Sequence, residues 1–282
     1  MRRRGGQDIE GTGVDRPAWA TEDIDLDRPS IARVYDFFLG GSHNFAVDRA
    51  MAEQLLTLAP DIAEIMRANR AFLRRAVRFM ISEGINQFLD IGSGIPTVGN
   101  VHEVAQAANP EARVVYVDID PVAYTHSRAM LEGNDRTAVV RADLREPDAI
   151  LGSPEVAQML DLTRPVGLLI VSVLHFLDDG ADPQTAVAQL REAMPSGSFL
   201  AISHAVAQSR PGDVVERFGQ MYQQAGAVAQ ARTHDEIAAF FGDFAPVEPG
   251  LVFLPLWRPD SPADTDARPE WSVSLVGVGQ KP

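Results

Sequence analysis

Read from the amino end, apolar residues first recur at helical spacing and then, from Ile85, gather into short runs separated by helix-length intervals. Residues 1–28 precede both patterns; they are polar, charged and glycine-rich without periodicity, the composition of a mobile tail. "SIARVYDFF" predicts a short helix with Ser30 as N-cap and Gly40-Gly41 past its end. Beyond Pro60, the positions Ile62, Ile65, Met66, Phe72, Leu73, Ala76, Val77 and Met80 follow a helical period that Gly84 stops. Residues 29–84 are therefore expected to form an N-terminal helical cap.

Over 85–282 the pattern alternates. "INQFLDI", "RVVYVD", "TAVVRAD", "VGLLIVSV" and "SFLAIS" predict five strands. Helices are expected around 98–108, from Asp120-Pro121, from Asp182-Pro183 to about Met194, and over 213–224, with a capping box from Thr233 to Glu236. Near-continuous apolar strands alternating with helices imply a parallel sheet covered on both faces. Two later β-rich runs, "GLVFLPLW" and "WSVSLVGVG", have only a polar Pro/Asp loop between them and should pair antiparallel. The expected fold class is α/β: a three-layer, Rossmann-like, mostly parallel sheet closed by an antiparallel C-terminal hairpin.

Composition narrows the chemistry. A net charge of -14 lacks the basic face of a nucleic-acid binder, so no nucleic-acid partner is expected. Lys281 is the sole lysine, which removes a lysine Schiff base or P-loop lysine from the body of the fold. The absence of cysteine removes disulfides, thiolate metal sites and Cys nucleophiles, and the six histidines lack His-x-x-x-His spacing, so no metal is expected. No apolar run reaches membrane length, and a cytoplasmic protein without a membrane partner is the expectation.

The stretch "FLDIGSGIPTVGN" carries the main signal, a strand running into a glycine turn. Gly92 and Gly94 let backbone approach a ligand where the first strand of an open α/β sheet meets its helix. A dinucleotide site commonly has a third glycine, but Thr97 stands there, and Asp90 would repel a diphosphate while favouring a sulfonium and an ammonium. Asp118 ends the second strand, where a carboxylate accepts ribose hydroxyls. Asp143 ends the third, with its carboxylate toward an adenine amine and the Leu144 backbone toward the ring. These positions point to a nucleoside ligand and favour S-adenosylmethionine (SAM) over NAD.

"FLDIGSG", "VVYVDIDP", "RADL" and "IVSVLHFLDD" resemble, in order, the motifs of class I SAM-dependent methyltransferases, and the terminal hairpin resembles that fold's sixth and seventh strands. "ARVYDFFLGGSHNFAVDR", "NRAFLRRAVRFM", "FLDIGSGIPTVGNVHEVAQ" and "PLWRPD" are similar, more narrowly, to a bacterial family of S-adenosyl methyltransferases once known only as a domain of unknown function. The resemblance runs from about Asp27 to the C-terminus. It implies the seven-stranded class I methyltransferase fold, with SAM as cofactor and S-adenosylhomocysteine (SAH) as product. By the same resemblance Asp90, Gly92, Gly94, Asp118, Asp143 and Leu144 line the cofactor site. Ser93, Ile119 and Ser172 are further candidate cofactor-binding residues.

Other residues are ambiguous in sequence. The loop "YDFFLGGSHNFAVDR" reads either as a lid, with Tyr35, His43 or Asn44 reaching the cofactor or the acceptor, or as a structural turn. Arg70 suits bidentate binding of the cofactor carboxylate or an exposed basic face, and Arg33 is equally open. His175, after the fourth strand, is the candidate general base. The expected activity is methyl transfer from SAM to an O, N or C nucleophile of a small-molecule acceptor. The alternatives are a non-catalytic SAM or nucleoside sensor and an NAD-dependent oxidoreductase.

Overall fold

A parallel sheet forms where the apolar runs lie: β1 (Gln87–Ile91), β2 (Arg113–Asp118), β3 (Thr137–Arg141), β4 (Gly167–Val171) and β5 (Phe199–Ala205). The computed structural model describes residues 22, 24–97, 99–207, 212–224, 227–261, 265 and 268–282. β1 and β4 are buried along their whole length, as strands covered on both faces must be. The strand order β3-β2-β1-β4-β5 puts β1 between β2 and β4, so the winding reverses beside the carboxyl end of β1. That reversal opens a crevice at the glycine turn.

The C-terminal strand β8 (Ser274–Gln280) runs antiparallel to β5 over its full length. Its other edge is taken by two short pieces, β6 (Ala245–Pro246) and β7 (Val252–Phe253). Together they fill one strand position, which yields the expected seven-position sheet with its last member broken. The expected hairpin between "GLVFLPLW" and "WSVSLVGVG" is therefore shorter than its apolar run. After Phe253 the chain turns through a 3₁₀ segment, Leu254–Leu256, because Pro255 has no N–H to give a ladder. Leu254 and Trp257 then bury into the core instead of pairing. Residues 262–264 and 266–267 of the connecting loop lie outside the described residues.

Among the described residues, ten helices accompany the sheet. α1 (Ile31–Phe38), α2 (Ala46–Leu58) and α3 (Ile62–Ser82) precede it; α4 (Val101–Ala108), α5 (Pro121–Met130), α6 (Pro147–Leu151), α7 (Pro154–Met159) and α8 (Pro183–Ala193) lie between its strands. α9 (Gly212–Gln224) and α10 (His234–Ala239) follow β5. One face of the sheet is covered by α3 and α4, through Phe72, Ala76, Val77, Val101 and Ala105. The other is covered by α7, α8 and the end of α10, through Val156, Val187, Leu190 and Phe240.

α3 bridges two environments. Its second half lies on the sheet, while Ile62 at its start joins Val34, Phe38, Met51 and Leu55 in a separate cluster above it. Phe218, Met221 and Tyr222 of α9 pack on that same cluster. The segment expected as a tail contains a docked residue, since Ile24 is fully buried among Phe45, Ile95, Val122 and Ala123. Residues 1–21 and 23 of the expected tail lie outside the described residues. So does Val98, where the helix after the glycine turn was expected to begin; that helix starts at Val101 because Asn100 and Glu103 form a reciprocal capping box.

Candidate functional site

The two glycines of the turn serve different needs. Gly92 has φ +67°, and a Cβ there would overlap Val173 Cγ2 at the exit of β4. Gly94 has φ +68° with open space where a Cβ would stand, so it supplies backbone freedom and leaves a cradle beside the chain. The turn is pinned to β2: the Gly92 N–H donates to Val117 O at 2.7 Å and the Gly94 N–H to Asp118 Oδ2 at 2.7 Å.

Above this turn lies a cavity of about 510 Å³, within the range of small-ligand sites. Gly92, Ser93 and Gly94 form one side, with Asp90 beneath them and Asp118 and Ile119 from the end of β2. Asp143 and Leu144 after β3, Ser172 after β4, and Tyr35 and Arg70 from the overlying helices complete the expected residues that line it. Ser172 has φ +63°, an uncommon conformation for a residue with a Cβ, and its N–H donates to Ser203 O at 3.3 Å. Ile119 is 56% exposed, an apolar face open to a ligand at the rim.

The electrostatics of the floor are unbalanced. Burial pushes the Asp90 carboxyl up to about 7, with Arg70 opposing that rise and Asp118 adding to it. Burial likewise lifts Asp118 to about 6, against the N–H groups of Asp120 and Gly94 that favour its ionised form. Arg70 is buried, its Nε has no hydrogen-bond partner, and its Nη2 makes only a long bond of 3.4 Å to Ile95 O. Ser93 Oγ is also buried without a partner. Asp143 differs: burial alone would raise it, but Arg145 holds it ionised through Nε at 2.8 Å and its own N–H at 2.9 Å.

These groups fit SAM. The unspent Arg70 matches a carboxylate, the buried carboxylates match an ammonium, a sulfonium and ribose hydroxyls, and Ile119 with Leu144 offers apolar contact to a flat ring. Tyr35 is held in place by two hydrogen bonds, one of them extended by a third. Its hydroxyl donates to Met66 O at 3.1 Å and accepts from Asn69 Nδ2 at 3.0 Å, while Asn69 Oδ1 accepts from Ser203 Oγ at 2.7 Å.

Four of the candidate residues, Arg33, His43, Asn44 and His175, do not line this cavity. In the glycine loop the buried Asp36 carboxylate accepts from the His43 N–H at 2.9 Å and from Asn44 Nδ2 at 2.9 Å, and Gly41 is glycine because a Cβ would overlap that carboxylate. His43 and Asn44 are thus organised around Asp36, which needs donors once α1 buries it. In this conformation both residues are held by Asp36 and neither lines the cavity. The His43 ring lies against His126, with centroids 3.9 Å apart. Arg33 is likewise spent, its Nε donating to buried Asp48 Oδ2 at 2.8 Å. Asp120, by contrast, is the helix cap its position suggests, accepting from Val122 and Ala123.

His175 is displaced too. It sits on the 3₁₀ turn Leu174–Phe176 and lines a second chamber of about 130 Å³ instead of the first cavity. Ser172 and Phe176 line both spaces, so the two abut there. A cluster without any sequence signal holds this turn. Arg232 donates to Leu174 O at 3.0 Å, Leu177 O at 2.9 Å and Asp179 Oδ1 at 2.9 Å, and its Nη1 lies 2.9 Å from His204 Nε2. Since Arg only donates, Nε2 accepts and the His204 proton is on Nδ1, facing Ala205 O at 2.8 Å. Burial pushes His204 down to about 4 and His175 well below its ordinary value, so both rings are neutral at physiological pH.

Among the described residues no helix is long and apolar enough to cross a membrane, and no group of three or more acidic or histidine side chains is arranged to hold a metal. Comparison with known proteins gives a consistent result. The sequence matches the family described as S-adenosyl methyltransferase over residues 17–282. A crystal structure from Thermobifida fusca YX, described provisionally as a methyltransferase, is 43% identical and superposes with a TM-score of 0.87, covering 94% of this chain and 99% of its own. A DUF574 family protein from Streptomyces avermitilis MA-4680 is 40% identical with a TM-score of 0.88, covering 92% and 99%. No curated protein matches the chain.

Proposed function

Because the chain belongs to the S-adenosyl methyltransferase family and is a SAM-dependent methyltransferase, we propose that it holds SAM in the cavity above the glycine turn and methylates an O, N or C nucleophile of a small-molecule acceptor. When bound, SAM supplies an electrophilic methyl group, whose bonding pair leaves on sulfur as the acceptor's lone pair makes the new bond, giving SAH. Arg70 would hold the carboxylate of the methionine moiety, and Asp90 the ammonium beside it. Asp118 would accept from the ribose hydroxyls. Asp143 would take the adenine amine, with Ile119 and Leu144 against the ring. Gly94 keeps the cradle open, and Ser93 Oγ is a further unspent group toward the same ligand.

What the protein contributes to such a displacement is alignment and exclusion of water, since an in-line transfer gains most from both. The rigid anchoring of Tyr35 through Asn69 to Ser203 ties the roof of the cavity to β5 and serves that alignment. One observation carries the assignment: a buried, underused Arg70 lines the same cavity as two buried carboxylates, Asp90 and Asp118, beside the glycine turn. The same arrangement disfavours NAD, whose diphosphate would lie near Asp90.

A thermal-shift titration with SAM, SAH, NAD and ATP tests this, repeated on Asp118→Ala. A ligand present at 100 times its Kd stabilises by about 2.7 kcal/mol. SAM and SAH are expected to raise the Tm, NAD and ATP to have little effect, and Asp118→Ala to lose most of the response. No shift with SAM or SAH refutes the proposal.

A further inference from the structure

The second chamber has no role in holding the cofactor, yet it abuts the cofactor cavity through Ser172 and Phe176. Resting on the cofactor reading above, we propose that this chamber seats the methyl acceptor and selects a neutral, single-ring aromatic molecule with one hydroxyl or ring N–H, held by the His175 imidazole.

Size comes first. The chamber's volume of about 130 Å³ is close to that of an apolar cavity of ~150 Å³ that accepts benzene. That volume matches a single aromatic ring. Chemistry comes second. The end of α2 and the start of α3 contribute Ala59, Ile62, Ile65 and Met66, while Phe218 and Tyr222 come from α9. The Phe176 and Tyr222 rings meet edge to face at 5.4 Å, the geometry aromatic rings favour with one another.

Charge is the third consideration. Among the described residues no Asp, Glu, Arg or Lys lines the chamber, so an ionised ligand would lose its hydration without compensation from them. Burial lifts the Tyr222 hydroxyl to about 12, which keeps that residue neutral as well. Ser172, Gln230 and Ser274 add polar groups to the lining, but among the described lining residues it is His175 whose buried side-chain nitrogen, Nδ1, has no hydrogen-bond partner. A polar group left unmet in an apolar space costs roughly 1–3 kcal/mol, a penalty that a donor on the ligand relieves. When the acceptor's oxygen or nitrogen takes the methyl group, the proton it gives up passes to this neutral imidazole and from there to water. Arg232 acts as a positioning residue, fastening the turn that carries His175.

The test uses the full-length protein saturated with SAH, with phenol and benzoate as probes in calorimetric titration. Saturable phenol binding is expected, with nuclear Overhauser contacts from phenol ring protons to the His175 and Tyr222 rings, and no response to benzoate. In Gly219→Leu, a side chain added on the α9 wall where a Cβ meets only ordinary contact should fill the space, weakening phenol by about tenfold or more and leaving the SAH isotherm unchanged. The wild-type contacts decide the matter even if that variant does not fold. Absence of phenol binding to the SAH-loaded protein, benzoate binding equal to phenol, or unchanged phenol affinity in Gly219→Leu overturns the inference. Failure of the wild type to bind SAH overturns the cofactor reading itself.

Discussion

The pH dependence of cofactor affinity follows from the floor of the cavity. In the ligand-free protein Asp90 titrates near 7, because burial disfavours its ionised form more than Arg70 favours it. A cationic ligand beside Asp90 binds the carboxylate and not the acid, so binding must release a proton wherever the acid is populated. A group titrating near 7 is about nine-tenths protonated at pH 6 and nine-tenths ionised at pH 8, so Kd for SAH should fall roughly tenfold, ~1.4 kcal/mol, between those values. Asp118, near 6, adds about a further factor of two at the acid end. Stability without ligand runs the other way. The folded state binds more protons than the unfolded chain between the ordinary carboxylate range and 7, so these two groups make it less stable as pH rises through that window. The assay is calorimetric titration of SAH at pH 6, 7 and 8 in buffers of different ionisation enthalpy, which counts protons released. Asp90→Asn should flatten the profile. A Kd independent of pH, or net proton uptake at pH 7, would refute the reasoning.

Two further changes probe the same site. Arg70→Met should weaken SAH binding roughly 10- to 100-fold by removing charge-assisted hydrogen bonds to the carboxylate. It should also move the midpoint of the pH profile upward, since Arg70 restrains the rise of Asp90; both effects are read in the same titrations. Gly92→Ala places a Cβ into Val173 Cγ2 at φ +67°. The combined cost of left-handed backbone and overpacking is about 2–4 kcal/mol, measurable by urea denaturation.

Much of the site was legible in local pattern. Strand ends can be read from apolar runs, and in an open parallel sheet the carboxyl ends of adjacent strands converge; Asp90, Asp118, Asp143 and the glycine turn therefore meet around one cavity. The cap of α5 and the capping box of α10 were equally local, each needing only residues within one turn. The break between β6 and β7 was less so. Both pieces pair with β8 on one edge, and only that shared edge reveals them as a single strand position.

The sequence by itself thus determined the alternation of strand and helix, the glycine turn and the row of carboxylates, because periodicity, capping and turn chemistry act over a few residues. Tertiary structure decided which polar side chains are spent. Asp36 gathers His43 and Asn44 away from the cavity, Asp48 takes Arg33, and Arg232 reaches His204 across 28 residues and Leu174 across 58. It also decided the chamber beside His175, whose walls come from α2, α3, α9 and the exits of β4 and β5. A buried polar group takes whatever partner the packed fold brings within hydrogen-bonding distance, and that choice is made by three-dimensional proximity, to which spacing along the chain is blind.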